Sequence, residues 1–143
     1  MITYYCERIS ENFFGEPFNA ITNIFFIIAG LLILKLNRDY VSSFSVFFIG
    51  ITSFAFHAYP NSITGVLDII AIVIFMLLFT IRIYRKLFGF RFIYCIFIAI
   101  LFVLICYLSG VTLQNTFLET SSFYFPIILH LLFLIIYCRK QKL

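Results

Sequence analysis

The sequence predicts an all-α fold, a polytopic transmembrane helix bundle of about five spans. Three observations lead there. Hydrophobic residues make up 64% of the chain and charged residues 11%, with a mean hydropathy of +1.12, whereas an ordinary soluble domain carries roughly 25% charged residues. The apolar residues fall into separate stretches of span length. The basic residues gather in alternate connections. A chain of 143 residues accommodates about five spans of ~20 residues with short connections. No linker, low-complexity tract or internal repeat divides it, so residues 1–143 read as a single domain.

The opening segment holds Glu7, Glu11 and Glu16 against one basic residue, Arg8. It lacks the basic start and small-residue cleavage site of a signal peptide, so the first span is expected to be retained. The apolar stretches are Phe18–Leu36, Val41–Tyr59, Ile63–Ile81, Phe92–Leu108 and Phe123–Tyr137. Each approaches the length that crosses ~30 Å of hydrocarbon as a helix. Pro60, Asn61 and Ser62 form a tight turn, which makes the second and third spans antiparallel. Pro126 falls in the first turn of the fifth span, where a missing N–H costs little. Cys6, Cys95, Cys106 and Cys138 show no ligand or disulfide spacing; the last three read as apolar filling.

Charge sets the expected orientation. Lys35 and Arg38 lie between spans one and two, and Arg82, Arg85, Lys86 and Arg91 between three and four. Arg139, Lys140 and Lys142 follow span five, leaving only Arg8 on the other side. The positive-inside rule then puts the N-terminus outside and the C-terminus in the cytoplasm. The net charge of +4 is this topology signal, and no basic face interleaved with aromatics suggests nucleic acid.

Several polar groups fall at one depth. His57 lies roughly 3–5 Å below the outer end of span two, and Ser53 sits one turn deeper on the same face. Asp68 lies roughly 8 Å into span three, level with that pair. Glu16, Asn19 and Asn23 follow helical spacing on one face of span one at the same end. Each has a bland reading too. Ser53 can bond back to its own helix, His57 can be a polar anchor near the interface, and the glutamates can be a solvated lead-in. Asp68 is harder to dismiss, because an intramembrane carboxylate needs a partner.

The ordered set Tyr5-Cys6-Glu7-Arg8, Glu16-Pro17-Phe18-Asn19-Ala20, Thr22-Asn23, Gly50-x2-Ser53-Phe54-x2-His57 and Asp68 resembles the alkaline ceramidase family. That family belongs to a wider superfamily of seven-helix membrane hydrolases. The resemblance runs from the N-terminus through span three; spans four and five match only in hydrophobic character. It implies a zinc-dependent amidase that cleaves the amide bond of ceramide or a related N-acyl lipid at the extracytoplasmic face. By position, His57 would be a zinc ligand, Asp68 would orient or deprotonate the attacking water, and Ser53 would stabilise the oxyanion. Asn19 and Asn23 would support the site by hydrogen bonding. Glu7 and Glu16 match acidic residues that bind calcium in eukaryotic relatives, although Tyr4 and Ile9 stand where further ligands belong.

The family carries two more zinc histidines, His-x3-His, on a seventh helix. This chain has two histidines in all, and Pro126 and Leu134 flank His130 at four residues. The expectation is therefore a chain truncated after the fifth helix. His130 then either joins His57 and Asp68 in a rebuilt zinc site or serves as a packing residue. Two functional readings stay open. One is a ceramidase-like hydrolase, its site completed where necessary by a second subunit or a homo-oligomer. The other is a non-catalytic membrane protein with a lipid-binding or assembly role.

Overall fold

The computed structural model describes residues 15–113, 115–116 and 119–141. Among them every regular element is helical: α1 (Pro17–Thr22), α2 (Ile24–Asn37), α3 (Tyr40–Ala58), α4 (Ser62–Phe88), α5 (Phe92–Leu113) and α6 (Phe125–Gln141), with a 3-10 helix at Glu119–Tyr124 before the last. Five stretches are long and apolar enough to cross a membrane: Pro17–Leu36, Tyr40–Ala58, Ser62–Phe88, Phe92–Leu113 and Ser121–Gln141. By contacts the chain divides into two compact units, Met1–Cys95 and Ile96–Leu143, with the boundary inside α5.

In the first unit the first span is broken into α1 and α2. Pro17 starts α1, where its fixed φ suits the first helical position. At Asn23 side chains compete with the backbone ladder: Asn23 Nδ2 and Thr22 Oγ1 both donate to the Asn19 carbonyl, at 2.9 and 3.0 Å. The Asn23 N–H meets the Ala20 carbonyl at 3.3 Å instead, a tighter turn. The break leaves no side-chain amide of Asn23 exposed to hydrocarbon, where it would be costly.

Helix α3 is the centre of this unit. Half of its most apolar window (50%) is buried inside the protein, against 22% or less for the other four spans. It packs on α1 and α2 on one side and on α4 on the other. The α2–α3 crossing is close because glycines occupy it. The Ser43 hydroxyl donates to the Gly30 carbonyl at 2.7 Å. A Cβ at Gly50 would come within 2.8 Å of Ile27 Cγ1 and 3.2 Å of the Asn23 carbonyl oxygen. Between membrane helices there is little hydrophobic drive, so such close contact and interhelical hydrogen bonding specify the pairing.

The α3–α4 hairpin is built by its turn. Asn61 Oδ1 accepts from the Ile63 and Thr64 N–H groups at 2.9 and 3.0 Å, and Thr64 Oγ1 accepts from the Asn61 N–H at 3.0 Å. This reciprocal capping box closes the helix start and fixes the register of α3 against α4. Helix α4 runs two turns beyond the expected end at Ile81. Its 27 residues span about 40 Å, so its end projects past the ~30 Å hydrocarbon layer. Arg82, Arg85 and Lys86 do not stop the helix, because long cationic stems lie along apolar surface while their heads reach water. Tyr84, Phe88 and Phe90 stack beside them, with ring centroids 5.0 to 6.3 Å apart. At this end Arg82 Nη1 reaches Asp39 Oδ2 and Ser42 Oγ at 2.7 and 2.6 Å. Asp39 also caps α3 by accepting the Ser42 N–H at 3.1 Å.

In the second unit α5 continues to Leu113 rather than the expected Leu108. The Ser109 hydroxyl donates to the Ser122 carbonyl at 2.8 Å, and the Ser122 hydroxyl returns a bond to the Gly110 carbonyl at 3.4 Å. These bonds hold the 3-10 helix against the end of α5. Pro126 lies in the first turn of α6, as its missing N–H requires.

Two consequences are measurable in detergent-solubilised protein. Gly50→Ala inserts a methyl into the α2–α3 crossing and costs about 1–3 kcal/mol, the range for overpacking. Gly110→Ala meets nothing closer than 3.7 Å and lowers the melting temperature less; equal losses would refute the close-crossing account. The second concerns acid. The Arg82 guanidinium, then the Ser42 hydroxyl, hold the Asp39 carboxyl down from 3.8 to about 2. A carboxyl with a lowered folded pKa stabilises the fold above its unfolded value and loses that contribution as pH falls through the folded one. The wild-type melting temperature should therefore fall between pH 3.8 and about 2 more steeply than that of Asp39→Asn.

Candidate functional site

The polar residues singled out in the sequence converge at the end of α3 opposite Asp39. Glu16 immediately precedes Pro17, and its carbonyl accepts the Ala20 N–H at 3.0 Å, so the start of α1 fixes its backbone. Its side chain is almost wholly enclosed, at 2% exposure. Glu16 Oε2 lies 2.6 Å from His57 Nδ1 and accepts a longer bond, 3.3 Å, from Asn19 Nδ2. Asn23 closes the sequence of contacts by donating to the Asn19 carbonyl. Three of the residues on span one thus form a ladder of hydrogen bonds that ends on the imidazole.

Asp68 approaches from α4. The Pro60–Asn61 turn sets it roughly 9 Å below the start of α4, about the depth of Ser53 below the end of α3. Burial weighs on its carboxylate first, with His57 and the Ser53 hydroxyl acting on it as well. Ser53, His57 and Asp68 are all buried, at 9, 8 and 7% exposure. Asp68 Oδ1 is enclosed and has no hydrogen-bond partner among the described residues. In a hydrocarbon-depth setting such an acceptor is costly, and buried polar atoms in proteins are nearly always paired. The same condition occurs at Thr80 Oγ1, roughly 18 Å further along α4.

Two cavities of the first unit lie elsewhere. One, of about 700 Å³, is apolar and lined by Leu31, Val41, Phe44, Phe48 and Leu78 among others. The other, about 370 Å³, includes Asp39, Ser42, Arg82 and Lys86. Neither touches Glu16, His57 or Asp68.

The remaining sequence candidates are placed as follows. Glu7 lies outside the described residues. His130 belongs to the second unit, where its ring packs against Phe102 with centroids 4.4 Å apart. Among the described residues no group of three or more His, Cys, Asp or Glu side chains could hold a metal ion. A catalytic zinc takes three protein ligands and a water; His57 and Asp68 leave that set one donor short, with Glu16 directed at His57 itself. A calcium ion takes six to eight oxygens, and Asn19 turns its amide nitrogen, not its oxygen, toward Glu16. The described residues of the first unit alone therefore fit neither ion.

Sequence reasoning assigned Glu16 a calcium role and missed its contact with His57. The signal was available: Glu16 and His57 sit at the same depth on consecutive spans, and a buried imidazole seeks a carboxylate. The Asp39–Arg82–Ser42 cluster was also missed, although Asp39 is the one acidic residue among the connections that carry the basic residues. No family model, curated protein or solved structure matches the chain.

The two buried acids differ in how well they are paired, which gives opposite stability effects. Asp68→Leu removes the Oδ1 acceptor, which lacks a donor among the described residues, and should raise stability by up to about 1–3 kcal/mol, seen as a higher melting temperature. His57→Ala strips Glu16 of its 2.6 Å partner and should cost about 1.5–3 kcal/mol, the range for bonds to charged groups. Thermal unfolding in detergent reads both. A loss of stability in Asp68→Leu as large as that in His57→Ala would mean Asp68 is fully paired in the folded protein.

Proposed function

We propose that the protein is a ceramidase-like hydrolase of the membrane, acting on the amide bond of ceramide or a related N-acyl lipid. The observation that carries the reading is the buried meeting of Ser53, His57 and Asp68, with Asp68 Oδ1 unpaired among the described residues. The motif order that resembles the alkaline ceramidases supports it independently. The basic ends of α2 and α4 lie opposite this cluster, which supports an extracytoplasmic site with the N-terminus outside.

An amide is a poor electrophile, and its hydrolysis needs three things from a site. A base must take a proton from the attacking water, a donor must meet the oxygen that becomes negative, and an acid must protonate the departing nitrogen. Asp68 suits the first role, since its unpaired oxygen can accept a proton or a donor. The Ser53 hydroxyl suits the second, beside that carboxylate. His57 suits the third once its Nε2 has taken up the proton that Asp68 removed from water, which it can then pass to the departing nitrogen. The zinc that the resemblance implies requires a further donor beyond His57 and Asp68, whether from this chain, from a second copy or from a separate subunit.

A second reading has its own observation behind it. The incomplete donor set favours a non-catalytic membrane protein in which these groups only hold α1, α3 and α4 together. Hydrolysis of a fluorescent ceramide by purified protein, alongside its zinc content, separates the two. On the hydrolase reading wild type turns over substrate, and both His57→Ala and Asp68→Asn lose on the order of 10²-fold or more, the usual weight of one acid–base group. Wild type that holds no zinc and cleaves no faster than either variant would sink the enzyme reading of this chain.

A further inference from the structure

Glu16 has a chemical role that its position in the sequence does not reveal. A neutral imidazole carries one proton, on either Nδ1 or Nε2, and the partner of one nitrogen decides which. A carboxylate is an acceptor only. With Glu16 Oε2 at 2.6 Å from His57 Nδ1, a neutral His57 carries its proton on Nδ1 and its lone pair on Nε2. The pair is enclosed, at 2 and 8% exposure, so the bond is formed in a medium of low dielectric where it is stronger than in water.

Glu16 is itself held. Its backbone caps α1 through the Ala20 N–H, and Asn19 Nδ2 donates to the same carboxylate oxygen that meets His57. Asn19 in turn is tied to Asn23 through its carbonyl. The carboxylate therefore stays fixed when the imidazole moves a proton or binds a ligand. A carboxylate behind an imidazole, fixing its tautomer and raising its basicity, is the usual support of a histidine that ligates or transfers protons.

We infer that Glu16 is a positioning residue for His57: it holds the proton on Nδ1 and thereby presents the Nε2 lone pair as the reactive nitrogen of the site. The oxygen Oε2 of that carboxylate is then engaged by the imidazole and by Asn19. The inference deepens the hydrolase reading and rests on it only for the rate measurement below.

The chain has two histidines, which makes the test direct. Full-length protein with 15N-labelled histidine in lipid nanodiscs is examined by long-range 1H–15N correlation, and His130→Asn assigns the second ring. In wild type His57 should show a protonated Nδ1 and an unprotonated Nε2. In Glu16→Ala the proton should move to Nε2, the form imidazole prefers in water. In Glu16→Gln the side-chain carbonyl oxygen can still accept, so the Nδ1–H form should return. Ceramide hydrolysis should fall on the order of 10–100-fold in Glu16→Ala and recover in part in Glu16→Gln. Finding His57 protonated on Nε2 in wild type, or the same tautomer in wild type and a folded Glu16→Ala, overturns the inference. A Glu16-dependent tautomer in a wild type without hydrolysis leaves it standing and removes the hydrolase reading alone.

Discussion

The hydrogen bond between Glu16 and His57 is the contact on which the polar end of the first unit depends. It joins residues 41 apart in sequence and ties α1 to α3. A carboxylate at 2% exposure cannot remain there unpaired, because the penalty for burying charge is far larger than any single packing term. The bond in turn constrains what precedes it. Pro17 must start α1 where it does, Asn23 must break the span so that α1 leans on α3, and glycines must occupy the α2–α3 crossing. Ser43 adds one interhelical hydrogen bond at that crossing, to the Gly30 carbonyl.

The two ends of α3 solve different problems. At one end Asp39, Ser42 and Arg82 satisfy one another, half exposed, with the guanidinium Nη1 donating to both carboxylate oxygens and to the hydroxyl. That cluster locks α3 to α4 and has nothing left over at Asp39. At the other end Glu16 is paired, yet Asp68 on the neighbouring helix holds an enclosed oxygen with no donor among the described residues. Proteins place incompletely satisfied polar groups where chemistry or binding requires them and offset the cost elsewhere. That contrast, rather than the presence of charge in a membrane helix, is what draws a functional reading to the Glu16 end.

The spans were legible because hydrocarbon selects for length and apolarity, and both can be read directly along the chain. Their ends were less so. The apolar runs stop at Ile81 and at Leu108, whereas α4 and α5 continue to Phe88 and Leu113, since a charged or polar residue ends a hydrophobic run without ending a helix. The break at Asn23 depends on side chains turning back to the Asn19 carbonyl, which no hydropathy pattern records. Depth was legible too. A rise of 1.5 Å per residue sets Ser53, His57 and Asp68 at one level. Pairing was not, because depth along a helix says nothing about rotation around it. Glu16 could have met Asp68, His57 or water at the same height, and only the lean of α1 on α3 selects the imidazole.

That selection also bears on what Asp68 can do. Had Glu16 turned to a cation, His57 and Asp68 would be left to pair with each other, and the acid would be spent. With Glu16 at Nδ1 of the ring, one acid holds the imidazole while the other comes from α4, so the two carboxylates stand in unequal surroundings. One is saturated by Nδ1–H and an amide; the other keeps an acceptor lacking a donor. Environments that separate two acids in this way are how one site provides both a fixed support and a proton acceptor. The division follows from geometry alone, from the start of α1 on one flank of α3 and the Pro60–Asn61 hairpin on the other.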